Sequence, residues 1–206
     1  MDRELMREYQ VLRDLLNDSL DRDKPAAYIA LRLEQYGLSV RTESGLVTAW
    51  LRSNVPGPEI TFGCAYDAQS ENNGAPVHAR GNDGLCAMIL TVMQRLFYRG
   101  GIERGTLCVQ FHNSAIRQAE DATAELLLTG DKTVEITARG TGPLADRCAE
   151  AVQSVMGKVD RVDGPTAILL GAAAVENPET GALDYKKIAL ENGADILEHL
   201  IVQALC

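Results

Sequence analysis

The chain has 206 residues, 46% hydrophobic and 24% charged, enough for one globular domain with a substantial core. Its net charge of -9, from 29 acidic and 20 basic residues, and its lack of a Lys/Arg cluster argue against nucleic acid as a partner. No apolar run approaches membrane-spanning length, and Met1-Asp2-Arg3-Glu4 lacks the layout of a secretory leader, so the expectation is a cytoplasmic protein with no membrane partner.

Leu5, Tyr9, Leu12 and Leu16 recur at helical spacing and predict an amphipathic helix over residues 3–19. Pro25 suits the first turn of a second helix, whose inner face is Ala26, Ile29, Ala30 and Leu33 and which Gly37 ends. Residues 47–51 alternate like a strand, residues 54–58 form a turn, and residues 59–64 are apolar enough for a strand central in a sheet. A polar loop is predicted over 68–78, then a helix over 84–98 that is apolar on most sides and stopped by Gly100 and Gly101. A strand at 106–111, a helix at 118–128, a strand at 133–138, a helix at 144–156 and a strand at 166–171 follow. A loop at 176–178 precedes the final helix over 187–205. Strands alternating with helices give an α/β layered domain, and no repeat or long linker divides it, so residues 1–206 read as a single domain.

The five cysteines (Cys64, Cys86, Cys108, Cys148 and Cys206) are odd in number and show no paired spacing, which fits reduced, mostly buried thiols. A Gly-x-Ser-x-Gly elbow and a phosphate-cradling loop ending in Lys-Ser/Thr are both absent. The most informative stretch is Val77 to Met88, a His/Gly/Asp-rich run leading into a helix a dozen residues after a strand that ends in Asp67-Ala68. It has the layout of a metal site at a sheet edge, yet carries Arg80 and Asn82 where thiolate or imidazole donors belong.

In this order of elements the chain resembles the catalytic domain of the aminoacylase/hippurate-hydrolase group of metal-dependent amidohydrolases, relatives of the zinc carboxypeptidases with a two-metal centre. Ala26 to Thr42 resembles the family's second helix and following strand, and Pro56 to Ala68 its Gly-Pro turn, central strand and Asp-x-Asp-Ala-Leu-Pro motif. His78 to Met88 resembles the His-x-Cys-Gly-His-Asp-x-His motif, and Ile188 to Ala194 the Ala-Leu-x-x-Gly of the last helix. The resemblance implies a three-layer αβα fold with a mixed, mostly parallel central sheet, similar to zinc carboxypeptidases and aminoacylases.

The departures concern the metal. By resemblance the family's cysteine ligand falls on Arg80, its adjacent histidine ligand on Asn82, and the first aspartate of the Asp-x-Asp pair on Ala65, leaving Asp67. The Gln-Pro-Ala-Glu-Glu run that supplies the bridging carboxylate and general base is replaced by Phe111 to Ile116, with Glu120 in a shifted counterpart. Gly181 to Tyr185 lacks the expected histidine, and residues 130–144 leave no room for the inserted lid domain.

A catalytic zinc needs three or so protein donors and an open position, and a two-metal hydrolase needs a bridging carboxylate besides. A guanidinium at Arg80 would repel a divalent cation, and Asn82 is a poor donor beside imidazole. No cofactor is therefore expected. The residues left for retained catalysis are His112 and Glu120, while Asp67, His78, Arg80, Asn82 and Asp83 are the candidates for ligand binding at the old cleft. Each also has a plainer reading. Asp67 caps the loop that follows, Asp83 is the N-cap of an apolar helix, His78 orients its loop, and His199 is a surface or helix-packing residue. Arg80 forks between Asp67 and Asp83 as an ion pair in the metal's place.

The expectation is a degenerate, lid-less, non-catalytic relative of the amidohydrolases that binds a small carboxylate or amide ligand, a second copy of itself or another protein. The alternatives are a hydrolase of amides or N-acyl amino acids with a reduced or relocated zinc or manganese site, and a subunit whose partner completes the site.

Overall fold

Apolar spacing places the first two helices. In the computed structural model of the chain, the described residues are 3–18, 23–57, 59–66, 71–72, 75–76, 82–112, 126–127, 136–139, 150, 154, 160–162, 167–170, 174–176, 183–185 and 187–206. Helix α1 (Arg3–Asp18) buries Leu5, Tyr9 and Leu12, and α2 (Asp23–Gln35) buries Pro25, Ala26, Ile29 and Leu33. Gly37 ends α2 in the left-handed region (φ 79°); its N–H donates to Glu34 O at 3.0 Å, and Leu38 N–H donates to Leu33 O at 3.1 Å. This pair of bonds satisfies the last carbonyls and tucks Leu38 into the core beside Leu33.

Strands β1 (Ser39–Glu43) and β2 (Leu46–Arg52) form an antiparallel hairpin closed by Ser44 and Gly45, with φ of 47° and 82°. Two positive-φ residues match the right-handed twist of the flanking strands. Strand β3 (Glu59–Ala65) follows, then the two-residue strands β4 (Glu71–Asn72) and β5 (Ala75–Pro76), which pair antiparallel inside the stretch expected to be loop. Helix α3 (Asn82–Arg99) leads into β6 (Thr106–His112). It ends as α2 does: Gly100 N–H donates to Phe97 O at 3.1 Å and Gly101 N–H to Leu96 O at 2.8 Å.

The main described sheet has the order β1-β2-β6-β3. Pairs β1/β2 and β2/β6 are antiparallel and β3/β6 is parallel. The fold is thus α/β with a mixed sheet, though the described part is more antiparallel than expected. The two-residue turn forces β1 against β2, whereas the helical crossover through α3 brings β6 back parallel to β3. Strand β6 is flanked on both sides among the described residues; β3, expected to be central, pairs there with β6 alone.

One face of this sheet presents Val47, Ala49, Ile60, Cys64, Leu107, Val109 and Phe111, all buried, toward the helices. Helix α3 lies between the sheet and two further helices, α1 and α4 (Lys187–Leu205). That sandwich explains why α3 is buried all round from Leu85 to Met93.

The remaining described strands are β7 (Leu126–Leu127), β8 (Ile136–Arg139), β9 (Asp160–Val162), β10 (Ala167–Leu170), β11 (Ala174–Glu176) and β12 (Leu183–Tyr185). Four of them form a second sheet in the order β7-β10-β8-β9, and β11 pairs with β12. Leu126 and Leu127 are strand rather than the end of a helix, because a short leucine run fits either period. Of the helix expected over 144–156, Glu150 and Ser154 are described, and both are helical.

Candidate functional site

Parallel pairing fixes where the site can be. Because β3 and β6 run the same way, their carboxyl ends lie at one edge, with Ala65 opposite His112 and Cys64 opposite Phe111. The first turns of α3 reach the same edge: Cys86 Sγ lies 3.6 Å from Cys64 Sγ, both side chains buried. A crevice outside the carboxyl ends of parallel strands, beside a helix N-terminus, is where open α/β sheets take ligands.

His112 is the last residue of β6, half-buried. Alternation along the strand puts it on the opposite face from Phe111 and Cys64. Register therefore excludes a Cys64/His112 pair. Asp83 is 3% exposed, and its Oδ1 accepts the Gly84 N–H at 2.8 Å. It lies one residue inside α3 rather than ahead of it, but does the work of a cap on a first-turn donor. Asn82 is the first residue of α3. Asp67, His78, Arg80 and Glu120 lie outside the described residues, as does Cys148. Among the described residues, no three His, Cys, Asp or Glu side chains gather where they could hold a metal ion. His199 is half-buried on α4, far along the chain from this edge.

Tyr66 is a residue that sequence reasoning passed over. It is 1% exposed; its N–H donates to the His112 carbonyl and its hydroxyl to the Gly45 carbonyl, each at 2.9 Å. One residue thus ties the end of β3 to the end of β6 through its backbone and to the β1–β2 turn through its side chain, immediately before Asp67. A large aromatic with a polar tip between a strand and a motif aspartate was the available signal.

A second polar assembly, also unforeseen, lies between α1 and α2. Glu8 is 1% exposed; its Oε1 accepts from Arg32 Nε (2.8 Å), from Arg32 Nη2 and from the Tyr36 hydroxyl (3.3 Å), and its Oε2 accepts from the Tyr28 hydroxyl at 2.7 Å. Burial, and then the hydrogen bond and charge of Glu8, push the Tyr28 phenol well above its ordinary range. Tyr36 shifts the same way through burial and the charge of Glu8. Burial alone would lower the Arg32 pKa, but its bonds to Glu8 outweigh that and raise it.

This architecture, α/β with a mixed sheet, is shared as a fold with solved metal-dependent peptidases. More particularly, the chain has the fold of the Bacillus subtilis YXEP protein, a dinuclear metal binding peptidase from the M20 family, with a TM-score of 0.70 at 11% identity over 98% of each chain. It superposes likewise on the aminopeptidase PepT of Bacillus cereus (TM-score 0.72, 10% identity, 98% of each chain). The Legionella pneumophila LapA aminopeptidase is also similar (TM-score 0.66, 12% identity, 98% of this chain and 72% of that one). No protein-family model and no curated protein matches the chain. The likeness is one of fold.

Proposed function

We propose that this chain is a degenerate, lid-less relative of the metal-dependent amidohydrolases, a binding protein that takes a small carboxylate or amide ligand at the old cleft. The observation that carries this reading is the rewritten donor set: Arg80 and Asn82 stand where the resembling family has cysteine and histidine ligands. A permanent cation and a neutral amide do not fit a dinuclear centre. Arg80 instead suits a carboxylate, either of a ligand or of Asp67 and Asp83, to which it can fork. The capping bond of Asp83 to Gly84 supports a positioning role for that acid rather than a ligand's.

Metal analysis of protein purified without chelator, with zinc or manganese added back, tests this directly. The expected result is no stoichiometric metal and no hydrolysis of N-acyl amino acids. Small carboxylates should raise the melting temperature, and Arg80→Ala should abolish that rise.

A second reading, a hydrolase with a reduced site, draws support from His112, which ends β6 at the ligand-taking edge of the sheet. Stoichiometric zinc or manganese that is lost in His112→Ala would establish it in place of the first. Self-association through surface that a lid would otherwise cover is part of the proposal. A protein that sediments as a monomer at high concentration removes it.

A further inference from the structure

We infer that Cys64 and Cys86 form a redox-sensitive clamp across the ligand-taking edge, closing to a disulfide under peroxide and reopening under thiol. The two sulfurs lie 3.6 Å apart, one near the end of β3 and the other in the opening turns of α3, on residues 22 positions apart in sequence. A disulfide requires the sulfurs to approach by only about 1.5 Å more, within reach of small rotations about the Cα–Cβ bonds. With Cys64 only 2% exposed and Cys86 0%, the pair face each other rather than solvent, so each is the nearest trap for the other once oxidised.

The chemistry balances with a peroxide as oxidant. One thiolate attacks the peroxide, the O–O bond breaks, and a sulfenic acid and one water form. The second sulfur then attacks the sulfenic sulfur, the S–S bond forms, the S–O bond breaks, and hydroxide leaves to take the remaining proton as a second water. Two thiols are oxidised by two electrons while the peroxide is reduced. Entry of the oxidant requires local opening at the start of α3, the less costly kind of native-state fluctuation.

The consequence concerns the site. A covalent link between Cys64 and Cys86 would set how far β3 and α3 can part beside the edge where Ala65 lies opposite His112. This holds whether or not the cleft binds a carboxylate, so it stands apart from the proposed function.

The test uses the whole wild-type protein, folded by circular dichroism, exposed to hydrogen peroxide and then alkylated in denaturant. The expected product carries three alkyl groups where the untreated protein, with five cysteines, carries five, and yields a single cross-linked peptide joining Cys64 to Cys86. Its melting temperature should rise, since a closed loop limits the unfolded chain, and should return to the starting value on reduction. Cys64→Ala and Cys86→Ala should each abolish both changes, while Cys108→Ala and Cys206→Ala should leave them intact. Recovery of Cys64 and Cys86 as alkylated thiols from folded, peroxide-treated protein overturns the inference. So does a cross-link to any other cysteine, or one that forms only in urea.

Discussion

Two polar regions of this chain draw on similar residue types and end in different states. Between α1 and α2, Glu8 is saturated: both oxygens accept hydrogen bonds, from Arg32, Tyr28 and Tyr36, and the carboxylate is sealed from water. At the carboxyl edge of β3 and β6, Asp83 holds a donor of its own helix, and His112 stays half-buried on the far face of the sheet. A buried acid whose partners are all protein groups fastens elements together, and a closed network of this kind leaves nothing for a ligand to bind. Strand-end residues are fixed in backbone yet reachable in side chain, which is what a binding edge needs. The presence of an acid and an arginine therefore does not mark a site; what matters is whether the surrounding fold has already used them.

The largest effect should come from opening the closed network. Glu8→Gln removes the counter-charge of Arg32, whose side chain is 17% exposed, and leaves a guanidinium facing buried oxygens. Loss of one partner of such a pair costs about 3 kcal/mol, read as a fall in the urea midpoint at constant slope. A Glu8→Gln variant as stable as the parent would put Glu8 among exposed, dispensable acids. Next in size is Asp83→Ala, which should cost about 1 kcal/mol through loss of the bond to Gly84 N–H and of a negative charge at the start of α3. Should Asp83→Ala instead raise stability, the acid is strained in place for a ligand, and the contrast between the two regions grows sharper.

Much of the fold was legible because the signals were local. The period of Leu5, Tyr9 and Leu12, the glycines at 37, 100 and 101, and the alternation through 47–51 each depend on near neighbours in sequence, and α1, α2, α3 and α4 fall where these place them. The unread parts depend on distance. Glu8 meets Arg32 across 24 positions, and Cys64 meets Cys86 across 22, only because α1 is laid on α2 and α3 is returned to β3. Leu126 and Leu127 misled for a different reason: two leucines carry no period. For the site, motif order pointed to the carboxyl edge of β3 and β6, but Tyr66, whose two bonds shape that edge, falls on the variable position of the Asp-x-Asp motif.

A smaller effect is expected at His112. Its backbone carbonyl, which the substitution keeps, holds Tyr66, so His112→Ala should keep the strand end intact and cost less than about 1 kcal/mol. Urea unfolding measures this. A loss well beyond that would show the imidazole to be part of the packing, as Glu8 is, and would erase the difference between a closed and an addressable region.

The last effect is absent at neutral pH and emerges only in alkali. Tyr28 and Tyr36 have phenol pKa values raised in the folded chain, by burial first and by Glu8 second. Below the ordinary tyrosine value of about 10, both states are protonated and the contribution of the pair to stability is fully present. As pH rises past that value the unfolded chain ionises first, so stability falls and continues to fall until the folded pKa is passed. A phenolate absorbance titration of the native protein should accordingly show late-ionising tyrosines, with Tyr28→Phe and Tyr36→Phe each removing one. Unfolding midpoints should decline with pH in the parent and less steeply in each variant. Should all tyrosines titrate together in the folded protein, the phenols are exposed to solvent and Glu8 is not enclosed. The same comparison on Glu8→Gln separates the two causes, because it removes the carboxylate's charge while leaving the burial of the rings largely in place.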